Sequence, residues 1–314
     1  MGDVFDVLTM GRVGVDLYPE QSGIPLAEIR TFAKFLGGSA TNVAVGAARL
    51  GHRSAVITKV GNDGFGAYVR TALQTFDVDP RFVGTDQTLR TPVVFIELLP
   101  PESPPILFYR EPKAPDMNLT VDDLDLDAIR GARVFWTTGT GLSDEPSRTA
   151  TLTALRARER ARITIHDLDH RPMFWRSPDG AGPLAREALG LATVAVGNVD
   201  EVTVAVGAGT AEEQATRLLE LGPELVIVKL GGEGVLAAWD GGSERVPPVD
   251  VDVVNGLGAG DAFGAAMCHG LLAGWDVVET VRFANAAGAY VAAQLACADA
   301  MPNEAQVRAL LVDA

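Results

Sequence analysis

Asn255-Gly256-Leu257-Gly258-Ala259-Gly260-Asp261-Ala262-Phe263 opens a predicted helix over Ala259–Ala273. Its glycines let the chain turn tightly and bring backbone N–H groups against an anion. The helix start adds unpaired donors and the positive end of the helix dipole. Asp261, in the first turn, either complements that dipole or serves as a base beside a bound anion. Three phosphate motifs fail here. A dinucleotide fingerprint counted from Gly256 needs glycine where Asp261 stands. None of Lys34, Lys59, Lys113 and Lys229 follows a glycine, so there is no Walker A motif. His170-Arg171-Pro172 does not complete the His-Arg-Asp of a protein-kinase catalytic loop. What remains is an anion-binding helix start beside a carboxylate, an arrangement suited to moving a phosphoryl group onto a hydroxyl.

Upstream, short β-type runs alternate with helical stretches. The runs include Val4–Thr9, Ser54–Val60, Val134–Thr137, Ile163–His166, Val194–Val196, Leu225–Lys229 and Val235–Ala238. Helical stretches include Ala40–Leu50, Phe65–Phe76, Glu145–Ala161, Ala211–Leu221, Ala259–Ala273 and Val277–Leu295. This alternation predicts a doubly wound α/β fold with a mainly parallel sheet flanked by helices. Two segments break the rhythm, Val13–Leu36 and Thr91–Arg110, extending to about residue 112. Both look like strand pairs, expected to form one small β-sheet lid over a single domain spanning 1–314. Pro100-Pro101-Glu102-Ser103-Pro104-Pro105 reads as a turn between lid strands.

The 26 Lys and Arg against 41 Asp and Glu give a net charge of −15, which argues against nucleic acid as a partner. An anionic ligand would then need a few local cationic and backbone donors. Cys268 and Cys297 cannot form a disulfide framework and read as buried thiols of a reducing compartment. With four His and two Cys, scattered, no metal-ligand spacing appears. The acidic start carries no signal-peptide pattern, and no apolar run is long enough to span a membrane; a cytoplasmic location is expected.

Four motifs in order resemble those of the ribokinase-like (PfkB) carbohydrate kinases, over about residues 4–302. They are Gly37-Gly38-Ser39-Ala40-Thr41-Asn42-Val43-Ala44, Asn198-Val199-Asp200-Glu201, Val228-Lys229-Leu230-Gly231-Gly232-Glu233-Gly234 and Gly258-Ala259-Gly260-Asp261-Ala262-Phe263. Gly11-Arg12-Val13-Gly14-Val15-Asp16, Phe108-Tyr109-Arg110, Thr138-Gly139-Thr140-Gly141-Leu142 and the stretch from His166-Asp167-Leu168-Asp169 to Trp175 resemble the branch that acts on keto-deoxy sugar acids. The resemblance implies ATP-dependent phosphorylation, specifically of the 6-hydroxyl of 5-dehydro-2-deoxy-D-gluconate. 2-Keto-3-deoxygluconate or a neutral ketose is the alternative within the family. A sugar- or nucleotide-binding protein without turnover is the alternative outside it, and a nicotinamide dehydrogenase is disfavoured by the failed fingerprint.

The same resemblance distributes roles. Asp261 becomes the general base, Gly258, Ala259 and Gly260 the anion hole, and Arg171 a neighbour of the phosphate or the acid. Asp16, Gly37, Gly38 and Asn42 contact the sugar, with Arg110 and Arg12 facing its carboxylate. Gly37-Gly38 also reads as a plain helix entry with Ser39 as N-cap. Asn198, Lys229, Gly231, Gly234 and Asn285 lie on the ATP side, and Glu201 acts on Mg²⁺ through water. Asn198 and Glu201 equally fit a helix cap. Trp136 and Trp175 read as core or pocket wall. Asn255-Gly256-Leu257 replaces the family's common Asp-Thr-Thr, which leaves monovalent-cation dependence open. A homodimer through lid edge strands is a further expectation.

Overall fold

A computed structural model describes residues 4–21, 23–98 and 105–312. The strands are β1 (Val7–Met10), β2 (Gly14–Pro19), β3 (Phe32–Gly37), β4 (Ser54–Gly61), β5 (Val78–Asp79), β6 (Val83–Asp86), β7 (Val93–Ile96), β8 (Ile106–Tyr109), β9 (Val134–Thr138), β10 (Ile163–Asp167), β11 (Val194–Asn198), β12 (Leu225–Lys229), β13 (Val235–Trp239) and β14 (Gly242–Val246). The helices are α1 (Ser39–Arg49), α2 (Gly64–Thr75), α3 (Leu126–Gly131), α4 (Ser147–Arg158), α5 (Ala181–Gly190), α6 (Val199–Val206), α7 (Ala211–Glu220), α8 (Ala259–Ala273), α9 (Val277–Ala292) and α10 (Glu304–Val312).

The main sheet runs β14-β13-β12-β11-β10-β9-β1-β4-β5, with β6 continuing along β4. It is parallel except for the antiparallel β12-β13-β14 edge. Its central strands β1 and β9 are buried along their whole length, so they read as continuous apolar or small-residue runs rather than alternating ones. Edge strand β14 is mostly exposed and polar, and hydrophobic patterning does not mark it. Trp136 is wholly buried beneath α8, where a Cβ at Gly264 would lie 2.5 Å from its ring, so the glycine lets helix and sheet approach. Trp136 is thus core, and both cysteines are buried free thiols.

The two segments that break the rhythm supply β2, β3, β7 and β8, which pair in a separate four-stranded sheet ordered β3-β2-β7-β8. Residues 100–104 of the Pro-rich turn lie outside the described residues. Among the described residues, no helix is long and apolar enough to cross a membrane.

Topology sets where chemistry can gather. Strand order reverses between β1 and β9, and the segments leaving the carboxyl ends of β1, β9 and β10 carry Arg12, Thr140 and Asp169. In open α/β sheets such a switch point leaves a crevice for a ligand. Helices α1 and α8 start at that crevice.

Candidate active site

Helix starts normally find a side chain to satisfy their free N–H groups. Asp63, Asp125, Asn198, Thr210 and Asp276 do this for α2, α3, α6, α7 and α9. Helices α1, α4, α5 and α8 have no side-chain cap, and of these α1 and α8 each begin on a positive-φ glycine, Gly38 at φ 104° and Gly258 at φ 82°. A side chain at either position would be strained, and its Cβ would press on the Arg12 and Val13 backbone or on Cys297. Gly38, not Ser39, is therefore the cap of α1, and the Ser39 hydroxyl turns to Asp169. The first turn of α8 keeps its N–H donors open, the first intrahelical bond running from Ala262 N to Gly258 O.

The tip of α8 divides two clefts. The narrow one spans about 440 Å³, open space at its mouth included, and Arg12, Asp16, Gly38, Asn42, Arg171, Gly258 and Asp261 line it. Val94, Ile96, Ile106 and Phe108 of the small sheet form its apolar wall. The wide one spans about 980 Å³, open space at its mouth included, and is lined by Lys229, Gly231, Gly234, Ala259, Gly260 and Asn285, with Pro248, Val249 and Phe263 among its apolar residues.

In the narrow cleft, Asn42 Nδ2 donates to Asp261 Oδ2 at 2.7 Å. Loss of water raises the Asp261 pKa to about 6, against the pull of Asn42 and Arg12. A carboxylate at that value is ionised at neutral pH yet more basic than an exposed one, which suits proton abstraction. Asn42 is buried and its Oδ1 has no partner, so an acceptor atom is held ready at the cleft. Asp16 is also buried, and burial lifts its pKa to about 7 with Arg12 opposing. A Cβ at Gly37 would overlap both Asp16 carboxylate oxygens, so the absent side chain at 37 is what admits Asp16.

Arg12 and Arg171 converge on Asp169, at 3.5 Å and 3.0 Å through their Nε atoms. Asp169 also accepts from Ser39 Oγ at 2.7 Å and Thr140 Oγ1 at 3.3 Å. Patterning did not single out this carboxylate, because its partners come from segments as much as 157 residues away. Its i+2 spacing from Asp167 and from Arg171 was the available signal. The structure does not bring Arg110 to this cleft. Its guanidinium pairs with the buried Asp116 and lies 5.0 Å from the Phe174 ring centroid. A buried carboxylate requires such a partner; Asp116 in turn accepts from Val13 N at 3.0 Å.

On the other side, Lys229 Nζ approaches Gly260, 3.4 Å from where a Cβ would stand. Burial opposes its charge, but Asp167, Glu201 and Asp261 outweigh that and keep it protonated. Asn285 lines the wide cleft while donating to Pro247 O at 2.8 Å. Asn198 and Glu201 line neither cleft. They form a reciprocal capping box at the start of α6, with bonds of 2.9 and 2.8 Å. Glu201 borders a smaller pocket with His170 and Trp175, which places Trp175 as pocket wall. Asn255 spends its side chain on the protein, binding Tyr18 Oη, Leu295 O and Leu257 N. Among the described residues, no cluster of three or more His, Cys, Asp or Glu is arranged to hold a metal ion.

Known proteins share this organisation. The chain is 32% identical to the 5-dehydro-2-deoxygluconokinase of Shouchella clausii, over 99% of this chain and 96% of that protein. It is 34% identical to the enzyme of the same name from Clostridium perfringens, over 95% and 90%. Fructokinase from Vibrio cholerae, solved with fructose, ADP and a calcium ion, superposes with a TM-score of 0.87 at 28% identity, covering 98% of this chain and all of that one. A sugar kinase of Pyrococcus horikoshii in complex with ATP gives 0.80 at 27% identity, over 97% and 99%. The profile of pfkB family carbohydrate kinases matches residues 5–304. With its uncapped helix tip set between two clefts, the chain belongs to the pfkB family of carbohydrate kinases, phosphotransferases acting on a sugar hydroxyl.

Proposed function

We propose that the protein transfers the terminal phosphoryl group of ATP to the 6-hydroxyl of 5-dehydro-2-deoxy-D-gluconate, as in inositol catabolism. The acceptor occupies the narrow cleft and the nucleotide the wide one. The observation that carries this assignment is the shared tip: Gly258 and Asp261 face one cleft, Ala259 and Gly260 the other. A phosphate at that tip lies between donor and acceptor. The names of the relatives support the choice of acceptor.

Asp261 accepts the proton of the acceptor hydroxyl as its oxygen bonds to phosphorus and the bond to ADP breaks. The free N–H groups at the start of α8 and the Lys229 ammonium steady the charge on the transferring group. Asp16 and the free Oδ1 of Asn42 accept hydrogen bonds from sugar hydroxyls. Arg12 and Arg171 take the carboxylate, a role expected also of Arg110 but committed there to Asp116. ATP arrives with a divalent cation, which phosphate oxygens and water would ligate, Glu201 acting through water. The small sheet closes over the acceptor as a lid and excludes water that would otherwise consume ATP. Exposed Leu107 and Tyr109 on edge strand β8 support pairing with a second copy through this sheet.

The test is an ADP-release assay with 5-dehydro-2-deoxygluconate, 2-keto-3-deoxygluconate and fructose side by side. The highest kcat/KM is expected for the first. Preference for fructose, or nucleotide binding without turnover on any acceptor, refutes the reading.

A further inference from the structure

Resting on the acidic acceptor proposed above, we infer that Asp169 is a positioning residue that holds Arg12 and Arg171 as a two-guanidinium clamp and thereby sets the preference for acids over neutral sugars.

Asp169 is 3% exposed and both its oxygens are engaged, Oδ1 by Arg171 and Oδ2 by Arg12, Ser39 and Thr140. Burial alone would raise its pKa, but Arg12, Arg171 and the Ser39 hydroxyl outweigh it and hold the carboxyl well below the ordinary range. It is therefore an anion at neutral pH. It also sits at φ 25°, an uncommon conformation for a non-glycine residue, at the turn that brings its carboxylate between the two arginines.

Both arginines bind Asp169 through Nε. Among the described residues, none of their Nη nitrogens has a hydrogen-bond acceptor, and both side chains line the narrow cleft. The fork that recognises a carboxylate in bidentate fashion is thus left open twice, toward the same space. Two adjacent guanidiniums repel, and the carboxylate fixed between them at Asp169 relieves that repulsion and holds the pair together. The Phe108 ring, 6.0 Å from Arg12 Cζ, bounds the position of the first arginine.

The experiment compares wild type with Asp169→Asn on the sugar acid and on fructose, following kcat, KM and the pH profile. For the acid, KM is expected to rise tenfold or more with kcat within about threefold, while KM for fructose and for ATP stays within twofold. The acid limb of kcat is expected to move to lower pH, because Asp169 is one of the charges that raise the Asp261 pKa. Equal losses on acid and neutral acceptors, or an unchanged KM for the acid, overturn the inference. Should Asp169→Asn fail to fold, Asp169→Glu, which keeps the charge but displaces it, is expected to raise KM for the acid selectively, and a uniform loss refutes the role. The wild-type arm separates the two claims. Absence of acid preference there sinks the proposed acceptor and this inference with it, whereas intact preference with an unaffected variant sinks the inference alone.

Discussion

The two clefts on either side of α8 solve opposite problems with the same helix tip. The narrow one is crowded with ionisable groups, Arg12, Asp16, Arg171 and Asp261, with Asp169 bonded to both arginines and Asn42 to Asp261. The wide one has more than twice the volume and apolar walls, with Lys229 its charged group closest to the tip. Placement of charge in a low-dielectric space is sensitive to small displacements, whereas contact with an open apolar surface is not. Substitutions on the narrow side should accordingly act sharply and selectively, and those on the wide side mildly.

The largest effect is expected at the base. Asp261→Asn should lower kcat by roughly 10²- to 10⁴-fold, with nucleotide affinity, followed by titration calorimetry, nearly unchanged. In the wild type, kcat/KM should fall about tenfold per pH unit below about 6, because the carboxylate is ionised above its pKa and protonated below it. That limb should vanish in the variant; near-wild-type turnover of Asp261→Asn would remove the assignment. Next comes Gly37→Ala, whose Cβ must push the Asp16 carboxylate aside. Loss of charged hydrogen bonds predicts a rise in acceptor KM of about tenfold or more, with ATP KM constant. If both constants change together, the separation of the clefts is wrong. The smallest effect is expected on the wide side. Asn285→Ala removes an amide already bonded to Pro247 O, and ATP KM should rise only about two- to tenfold. A loss comparable to that of Gly37→Ala would erase the contrast.

Much of this was legible in the sequence because it is local. The helix start at Ala259, its glycine at 258 and the carboxylate at 261 lie within four residues, and the alternation of strands and helices follows from hydrophobic period alone. The short helices α5, α6 and α10 were less visible, and β14 is an exposed edge whose side chains carry no apolar pattern. What the sequence could not disclose is which partner each charge takes. Arg110 looks as available as Arg12 until the fold sets Asp116 beside it, and Ser39 looks like a cap until Asp169 arrives from 130 residues away. Asn198 and Glu201, three residues apart, form the local cap that their spacing equally allowed. Only the Ser39 case is decided by long-range pairing, which the meeting of β1, β9 and β10 at the switch point creates; Arg110 and Asp116 are six residues apart, and the turn between them sets their pairing.

Because one turn of backbone serves as a common wall, natural drift has little room there: any alteration that tunes it for a new sugar also disturbs the grip on the donor. Diversification of such an enzyme should instead accumulate in the surrounding decoration, at Arg12, Phe108 and Arg171, which line the narrow cleft and not the wide one. An engineer seeking a different acceptor would leave 258–261 untouched and randomise that periphery.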